Sequence, residues 1–230
     1  MLLEDLRKGQ VVFIDKPLHW TSFDVVNKLR YAILKKFDLK KFKVGHAGTL
    51  DPLATGLLIV CVGKATKSIH QFQNLDKEYT GTFFVGATTP SYDLETSVNQ
   101  TFETGHITDE LIYQKAKDFT GEQQQTPPIF SAVKKNGKKL YEHARKGETV
   151  PIEARKIYIN RFEILSINLP EIRFKVNVSK GTYIRSLAND FGIALGSGAY
   201  LSGLRRTKIG NYSVDDAISC RQWIEKNMPQ

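Results

Sequence analysis

The chain has 230 residues, 41% of them apolar, enough for a substantial buried core without a disulfide or metal staple. Lys and Arg number 33 against 24 Asp and Glu, and the net charge of +9 points to a polyanionic partner such as nucleic acid. Two distant cysteines, the lack of any run of ~18 apolar residues and a charged start (Glu4, Asp5, Arg7, Lys8) argue against a disulfide scaffold, a membrane span and a signal peptide, and predict a cytoplasmic protein.

Val11 to Ile14 read as a short strand running into Asp15-Lys16-Pro17. Thr21 and Asp24 then form a capping box for a helix whose apolar face is Val26, Leu29, Ile33 and Phe37. From Lys28 to Lys43 there are seven basic residues and one acidic one, so that face and the following loop are either a solvated surface or a phosphate-binding one. Leu57 to Val62 is a continuous apolar run, the pattern of a strand buried on both faces, with Cys61 as a small core residue. Tyr79 to Val85 is a second strand, and Thr108 caps a helix through Phe119, with Ile107 and Ile112 as a staple and Gly121 as the stop. The segment 123–150 differs in character: Pro127-Pro128, then six basic groups and one acidic group over 134–146. A hairpin turning at Asn136-Gly137 would carry Lys134, Lys135, Lys138 and Lys139 at its tip; a disordered surface loop is the bland alternative. Ile157 to Leu165 and Ile172 to Val178 read as strands, and Ile184, Leu187, Ala188, Phe191 and Leu195 share one face of a helix that ends at Gly196. Without a regular βαβ alternation, these elements predict one α+β domain over 1–230, with a mixed, largely antiparallel central sheet flanked by helices and a basic insertion at 123–150.

The densest cluster of unusual residues is Gly45-His46-Ala47-Gly48-Thr49-Leu50-Asp51-Pro52-Leu53-Ala54-Thr55-Gly56. Glycines around a lone carboxylate, just before a buried strand, suggest a shaped loop that holds Asp51 in place. A structural Asp-Pro turn, and a histidine satisfied by loop backbone, are the competing readings on spacing alone. The glycines do not form a phosphate-binding P-loop, because Gly63-Lys64 is followed by Ala65 and the upstream position is Leu58. HExxH, paired CxxC and GxSxG motifs are all missing, so zinc hydrolysis and serine-nucleophile chemistry lack their parts.

The string Lys43 to Gly56 closely resembles the catalytic motif of the TruB family of tRNA pseudouridine synthases. Four further blocks agree in order: Ile14-Asp15-Lys16-Pro17 with Thr21-Ser22, Asp76-Lys77-Glu78-Tyr79, Val178 to Arg185, and Leu204-Arg205-Arg206-Thr207. The resemblance covers roughly residues 10 to 215, and five ordered blocks are far less frequent by chance than any one of them.

The resemblance implies the pseudouridine synthase fold and isomerisation of the T-loop uridine at position 55 of tRNA, with neither cofactor nor metal. It implies Asp51 as the catalytic aspartate, Arg185 as its paired arginine and Tyr79 as the tyrosine packing on the target base. His46 would fill the space left by the extruded nucleotide, and Tyr183, Leu204 and Lys16 would belong to the substrate-binding surface. A carboxylate can serve this reaction as a nucleophile on C1′ or on C6, or as a base toward the C2′ proton. The lysines at 134, 135, 138 and 139 and the basic stretch from Lys28 would contact RNA phosphates. About twenty residues follow Lys208, too few for the PUA domain that many members carry, so a short form acting on the tRNA T-arm without an obligate protein partner is expected, and the resemblance implies a monomer. The rival reading is a non-catalytic RNA-binding or tRNA-folding protein on the same scaffold.

Overall fold

The computed structural model describes residues 2–135, 137–148 and 150–228. In chain order the elements are α1 (Leu3–Lys8), β1 (Gln10–Lys16), α2 (Ser22–Lys36), β2 (Val44–His46), β3 (Ala54–Val62), a 3-10 turn (Gly63–Ser68), α3 (Ile69–Gln73) and β4 (Lys77–Val85). There follow β5 (Ala87–Thr88), β6 (Gln100–Thr101), α4 (Asp109–Asp118), β7 (Gly121–Gln125), β8 (Lys134–Lys135), β9 (Lys138–Lys139) and α5 (Leu140–Ala144). The last are β10 (Arg155–Asn168), β11 (Glu171–Val178), α6 (Ile184–Ala194), β12 (Ala199–Ile209), β13 (Tyr212–Ser213) and α7 (Cys220–Asn227). Strand pairing is mixed and mostly antiparallel, and helices flank the strands, as the α+β reading expects. The chain divides into two compact units, Met1–Tyr79 with Leu204–Gln230, and Thr80–Gly203.

The first unit is built around β3. It pairs antiparallel with β1 (Val12 opposite Val60, Lys16 opposite Gly56) and with β2 (His46 opposite Val60), and parallel with the end of β12 (Leu204 opposite Ala54, Arg206 opposite Gly56). Successive side chains of a strand point to opposite faces. Leu58, Val60 and Val62 accordingly join one apolar cluster with Val25, Val26, Leu29 and Ile33 of α2 and Trp223 of α7, while Leu57, Ile59 and Cys61 join another with Ala47 and Ile209. A strand covered on both faces has no polar alternation, which is why its sequence reads as an unbroken apolar run. The helix α2 starts where its box predicts: Thr21 Oγ1 accepts from the Asp24 amide at 3.0 Å, and Asp24 Oδ2 accepts from the Thr21 amide at 2.8 Å.

In the second unit β10 pairs antiparallel with β11 and with β7. Its core is aromatic: Phe83 stacks on Phe174 at 4.1 Å, and Phe162 and Phe191 meet at 5.4 Å. The helix α4 is capped by Thr108, whose hydroxyl accepts from the Leu111 amide, and it ends at Asp118, before Gly121. Gly121 instead opens β7, which extends to Gln125 into the segment read as an insertion. The expected lysine hairpin forms, with Lys134 opposite Lys139 and Lys135 opposite Lys138; its turn residue Asn136 lies outside the described residues.

Candidate active site

The loop carrying Asp51 is held by three polar side chains of the first unit. Arg206, only 1% exposed, reaches under it, donating from Nε to the Leu57 carbonyl (2.8 Å), from Nη2 to that of Gly48 (3.1 Å) and from Nη1 to that of Thr49 (3.5 Å). Lys16, 0% exposed, donates from Nζ to the carbonyls of Pro17 (2.9 Å), Trp20 (2.5 Å) and Pro52 (3.5 Å). Ser22 Oγ accepts from the Leu50 amide at 2.8 Å and donates to the Leu50 carbonyl at 3.1 Å. The His19 amide donates to Pro52 O and the Ala54 amide to Asp51 O. The residues on either side of Asp51 are therefore pinned, and Asp51 itself sits half-buried between them. The close pass of β12 requires Gly56: its φ is +103°, and a Cβ there would lie 2.3 Å from the Arg206 carbonyl oxygen.

These buried cations shape the local electrostatics. Burial pushes the Lys16 ammonium down to about 8, helped by Arg206 and opposed by the negative charge of Asp51. His46, half-buried on β2, is also shifted down, first by burial and then by Arg206, which favours its neutral imidazole.

Around the same loop, Arg205 grips Asp15 through two bonds, Nη1 to Oδ1 at 3.0 Å and Nη2 to Oδ2 at 2.7 Å, tying the first sequence block to the last. Tyr79, 8% exposed, follows Glu78, whose Oε1 accepts from the Thr207 hydroxyl at 2.8 Å. The Lys77 ammonium is buried on the carbonyls of Gln73 and Leu75. Leu204 lies half-buried at the start of the parallel pairing with β3. Four of the five sequence blocks thus converge in the first unit, bringing Asp51, His46, Lys16, Tyr79 and Leu204 into one framework.

Arg185 and Tyr183 belong to the second unit. Arg185 is 4% exposed at the start of α6; its Nη1 donates to Ser91 O (3.1 Å), its Nη2 to Phe130 O (2.9 Å), and its Nε lies 3.6 Å from Asp93 Oδ2. Asp93, 4% exposed, is fixed in turn by Ser91 Oγ at 2.6 Å and by the Glu95 amide at 3.0 Å. Between Ser91 and Asp93 the backbone of Tyr92 takes φ +63°, a strained conformation for a bulky residue and one found where structure over-determines the chain. Tyr183 is positioned by Gln125, whose side chain accepts from its amide (2.8 Å) and donates to its carbonyl (3.0 Å), and by Arg155, whose guanidinium lies 4.7 Å from the ring centre. Sequence reading missed Asp93, Gln125 and the roles of Ser22 and Arg206. The position of Ser22 directly after a helix cap is a local hint, whereas Arg206 leaves none, because its carbonyl partners lie some 150 residues earlier.

Of the four hairpin lysines, Lys138 is exposed, while Lys135 is half-buried and donates to the Pro151 carbonyl. The side chains of Lys134 and Lys139 lie outside the described part. Among the described residues no group of three or more His, Cys, Asp or Glu is placed to hold a metal ion, and no helix is long and apolar enough to cross a membrane. Cys61 and Cys220 are buried free thiols, each pushed up to about 11 by burial.

Comparison with known proteins bears on this framework. The family model described as TruB family pseudouridylate synthase (N terminal domain) matches residues 35–184. The chain is 62% identical over 219 residues to tRNA pseudouridine synthase B of Flavobacterium johnsoniae, covering 95% of this chain and 96% of the relative. It is 52% identical over 225 residues to the protein of the same name from Phocaeicola vulgatus, covering 96% of each. Among solved structures, a chain in the crystal structure of a Cbf5-Nop10-Gar1 complex superposes with a TM-score of 0.72 at 32% identity. A chain in the structure of an H/ACA RNP bound to a substrate RNA containing 2'-deoxyuridine gives 0.69 at 29% identity. This chain is covered to 98% in both, but spans only 56% and 55% of theirs.

Proposed function

The chain belongs to the TruB family of pseudouridylate synthases, and on that premise we propose that it isomerises the T-loop uridine at position 55 of tRNA to pseudouridine, with Asp51 as the catalytic carboxylate. The reaction breaks the bond from N1 to C1′, turns the uracil and rejoins it through C5, so no atoms or electrons enter or leave. It draws on no cofactor for that reason. What it does demand is an ionised carboxylate held against an extruded nucleotide. The observation that carries the reading is the loop itself: Leu50 and Pro52 are tied by Ser22, Lys16 and the His19 amide, so Asp51 is presented in a fixed, half-buried position beside buried positive charge. Fixing the reacting group beforehand removes an entropic part of the barrier.

The other roles follow the same reading. Arg185 brings a planar guanidinium suited to a carboxylate, Tyr79 gives the target base an aromatic platform, and His46 occupies the place the nucleotide vacates. Tyr183 and Leu204 complete the substrate-binding surface, whereas Lys16, expected there from its block, is fully buried on backbone carbonyls and instead supports the Asp51 loop from beneath. RNA phosphates meet the lysine hairpin, where exposed Lys138 is the strongest contact and Lys135, tied to Pro151, a weaker one. The enzyme works as a monomer in a reducing cytoplasm, in keeping with its buried free thiols.

The test is incubation of an unmodified tRNA transcript with the wild type and with Asp51→Asn, followed by chemical mapping of pseudouridine. Asn is expected to abolish modification while leaving tRNA affinity within a few-fold. Full activity in the Asn variant would overturn the assignment of Asp51. A wild type that binds the transcript but never modifies it would favour the non-catalytic RNA-binding protein.

A further inference from the structure

At the other end of β3 from Asp51 lies a cavity of about 480 Å³ that the catalytic reading leaves unused. Its rim carries Arg7 of α1, Lys41 and Lys43 of the segment leading into β2, and Lys64 and Lys67 of the 3-10 turn; the ring of Phe42 forms part of its wall. All five cations are exposed, and among the described residues none has an ion-pair or hydrogen-bond partner for its side chain. Phe42 is half-buried and packs on the core cluster that contains Val44 and Val62, so its ring is anchored.

The three segments that form the rim are locked together by backbone. The Gly63 amide donates to Lys43 O at 2.9 Å. Gly63 has φ +62°, and a Cβ there would lie 2.0 Å from Leu6 O; a Cβ on Gly9 would lie 2.6 Å from the Ala65 amide nitrogen. The helix α1 therefore rides directly on the 3-10 turn, and the cations are spaced by a rigid frame.

Resting on the proposed function, we propose that this cavity is a second nucleotide site, which takes one nucleotide of the substrate RNA with its base against Phe42 and its flanking phosphates on the lysine and arginine rim. An inorganic anion or a bare phosphodiester backbone would use the cations but not the aromatic wall. A nucleotide uses both, since every base has a face to stack and every linkage a charge. The nine residues of β3, at ~3.3 Å each, put the cavity roughly 25–30 Å from Asp51. The cavity and the catalytic loop thus hold one RNA at two points.

The experiment measures tRNA affinity across a series of salt concentrations, together with single-turnover pseudouridine formation at saturating enzyme. It compares the wild type with Lys41→Gln/Lys43→Gln/Lys64→Gln, with Phe42→Leu, which keeps an apolar side chain against the core, and with Phe42→Tyr, which keeps the aromatic face. The triple variant is expected to bind at least ~10-fold more weakly at low salt and to flatten the salt slope by about two to three, from ~0.7–0.9 per lost phosphate contact. Phe42→Leu is expected to weaken binding about 5- to 150-fold with the slope unchanged, the range of ~1–3 kcal/mol for one stacked base, and Phe42→Tyr to restore it. An unchanged slope in the triple variant removes the cavity from the RNA interface. A flattened slope with wild-type affinity in Phe42→Leu reduces it to an electrostatic surface and overturns the nucleotide site. Saturating turnover in the wild type separates these failures from a failure of the proposed function itself.

Discussion

Asp93 and Lys16 do not touch the reacting bond in the proposed mechanism, yet each sets the conditions for a residue that does. Asp93 faces Arg185 from a strained turn, both being almost completely buried, so its charge offsets the cost of keeping a guanidinium out of water. Asp93→Asn should lower stability by ~1–3 kcal/mol and turnover by about 10- to 100-fold through misplacement of Arg185, with tRNA affinity within a few-fold; unfolding and single-turnover assays would show this, and unaltered turnover would deny Asp93 a positioning role. For Lys16 the signature lies in pH. Below about 8 the folded and unfolded chains both carry its proton; between about 8 and its ordinary value of 10.5 only the unfolded chain does. Stability rises with pH wherever the unfolded state holds more protons. The unfolding midpoint of the wild type, measured relative to Lys16→Met, should therefore climb from pH 8 to 10, and parallel curves for the two proteins would show that Lys16 does not titrate in that window.

At the scale of elements, what could be read from the sequence depended on where each element's partners lie. The helices α2, α4 and α6 and the strands β3 and β11 each carry their own signal, a capping residue, a periodic apolar face or, in β3, an unbroken apolar run, and their positions match the reading to within a few residues. The strand β12 carries none. Gly203-Leu204-Arg205-Arg206-Thr207 looks polar because Arg206 spends its charge on carbonyls of a loop some 150 residues earlier, and no local pattern records a partner at that distance. The site divides in the same way: Asp51, His46 and Tyr79 stood out through their blocks, whereas Asp93 and Gln125 acquire meaning only when the chain folds beside Arg185 and Tyr183. The parallel seam between β3 and β12 tolerates no side chain at Gly56. Gly56→Ala combines a positive φ with a backbone clash, and should cost at least ~2 kcal/mol in chemical unfolding and lower activity by loosening the loop around Asp51. A loss under ~0.5 kcal/mol, the range of an ordinary surface change, would mean that the seam yields easily.

For the molecule as a whole, the net charge of +9 serves two separate purposes, and ionic strength should tell them apart. On the proposed function, exposed cations such as Lys138 and the five at the cavity rim attract phosphate across water, where salt screens them and released counterions drive binding. Lys16 and Arg206 are buried, hydrogen-bonded to carbonyls, and shielded from that screening. If the RNA meets six to ten phosphate-binding groups, raising monovalent salt from about 50 to 200 mM should lower tRNA affinity by about 1,000- to 100,000-fold. The single-turnover rate at saturating enzyme should change by less than about three-fold, because the cations that order the Asp51 loop stay out of reach of the ions. A rate at saturation that falls together with affinity would place the working charges of the catalytic loop in solvent, contrary to the burial of Lys16 and Arg206.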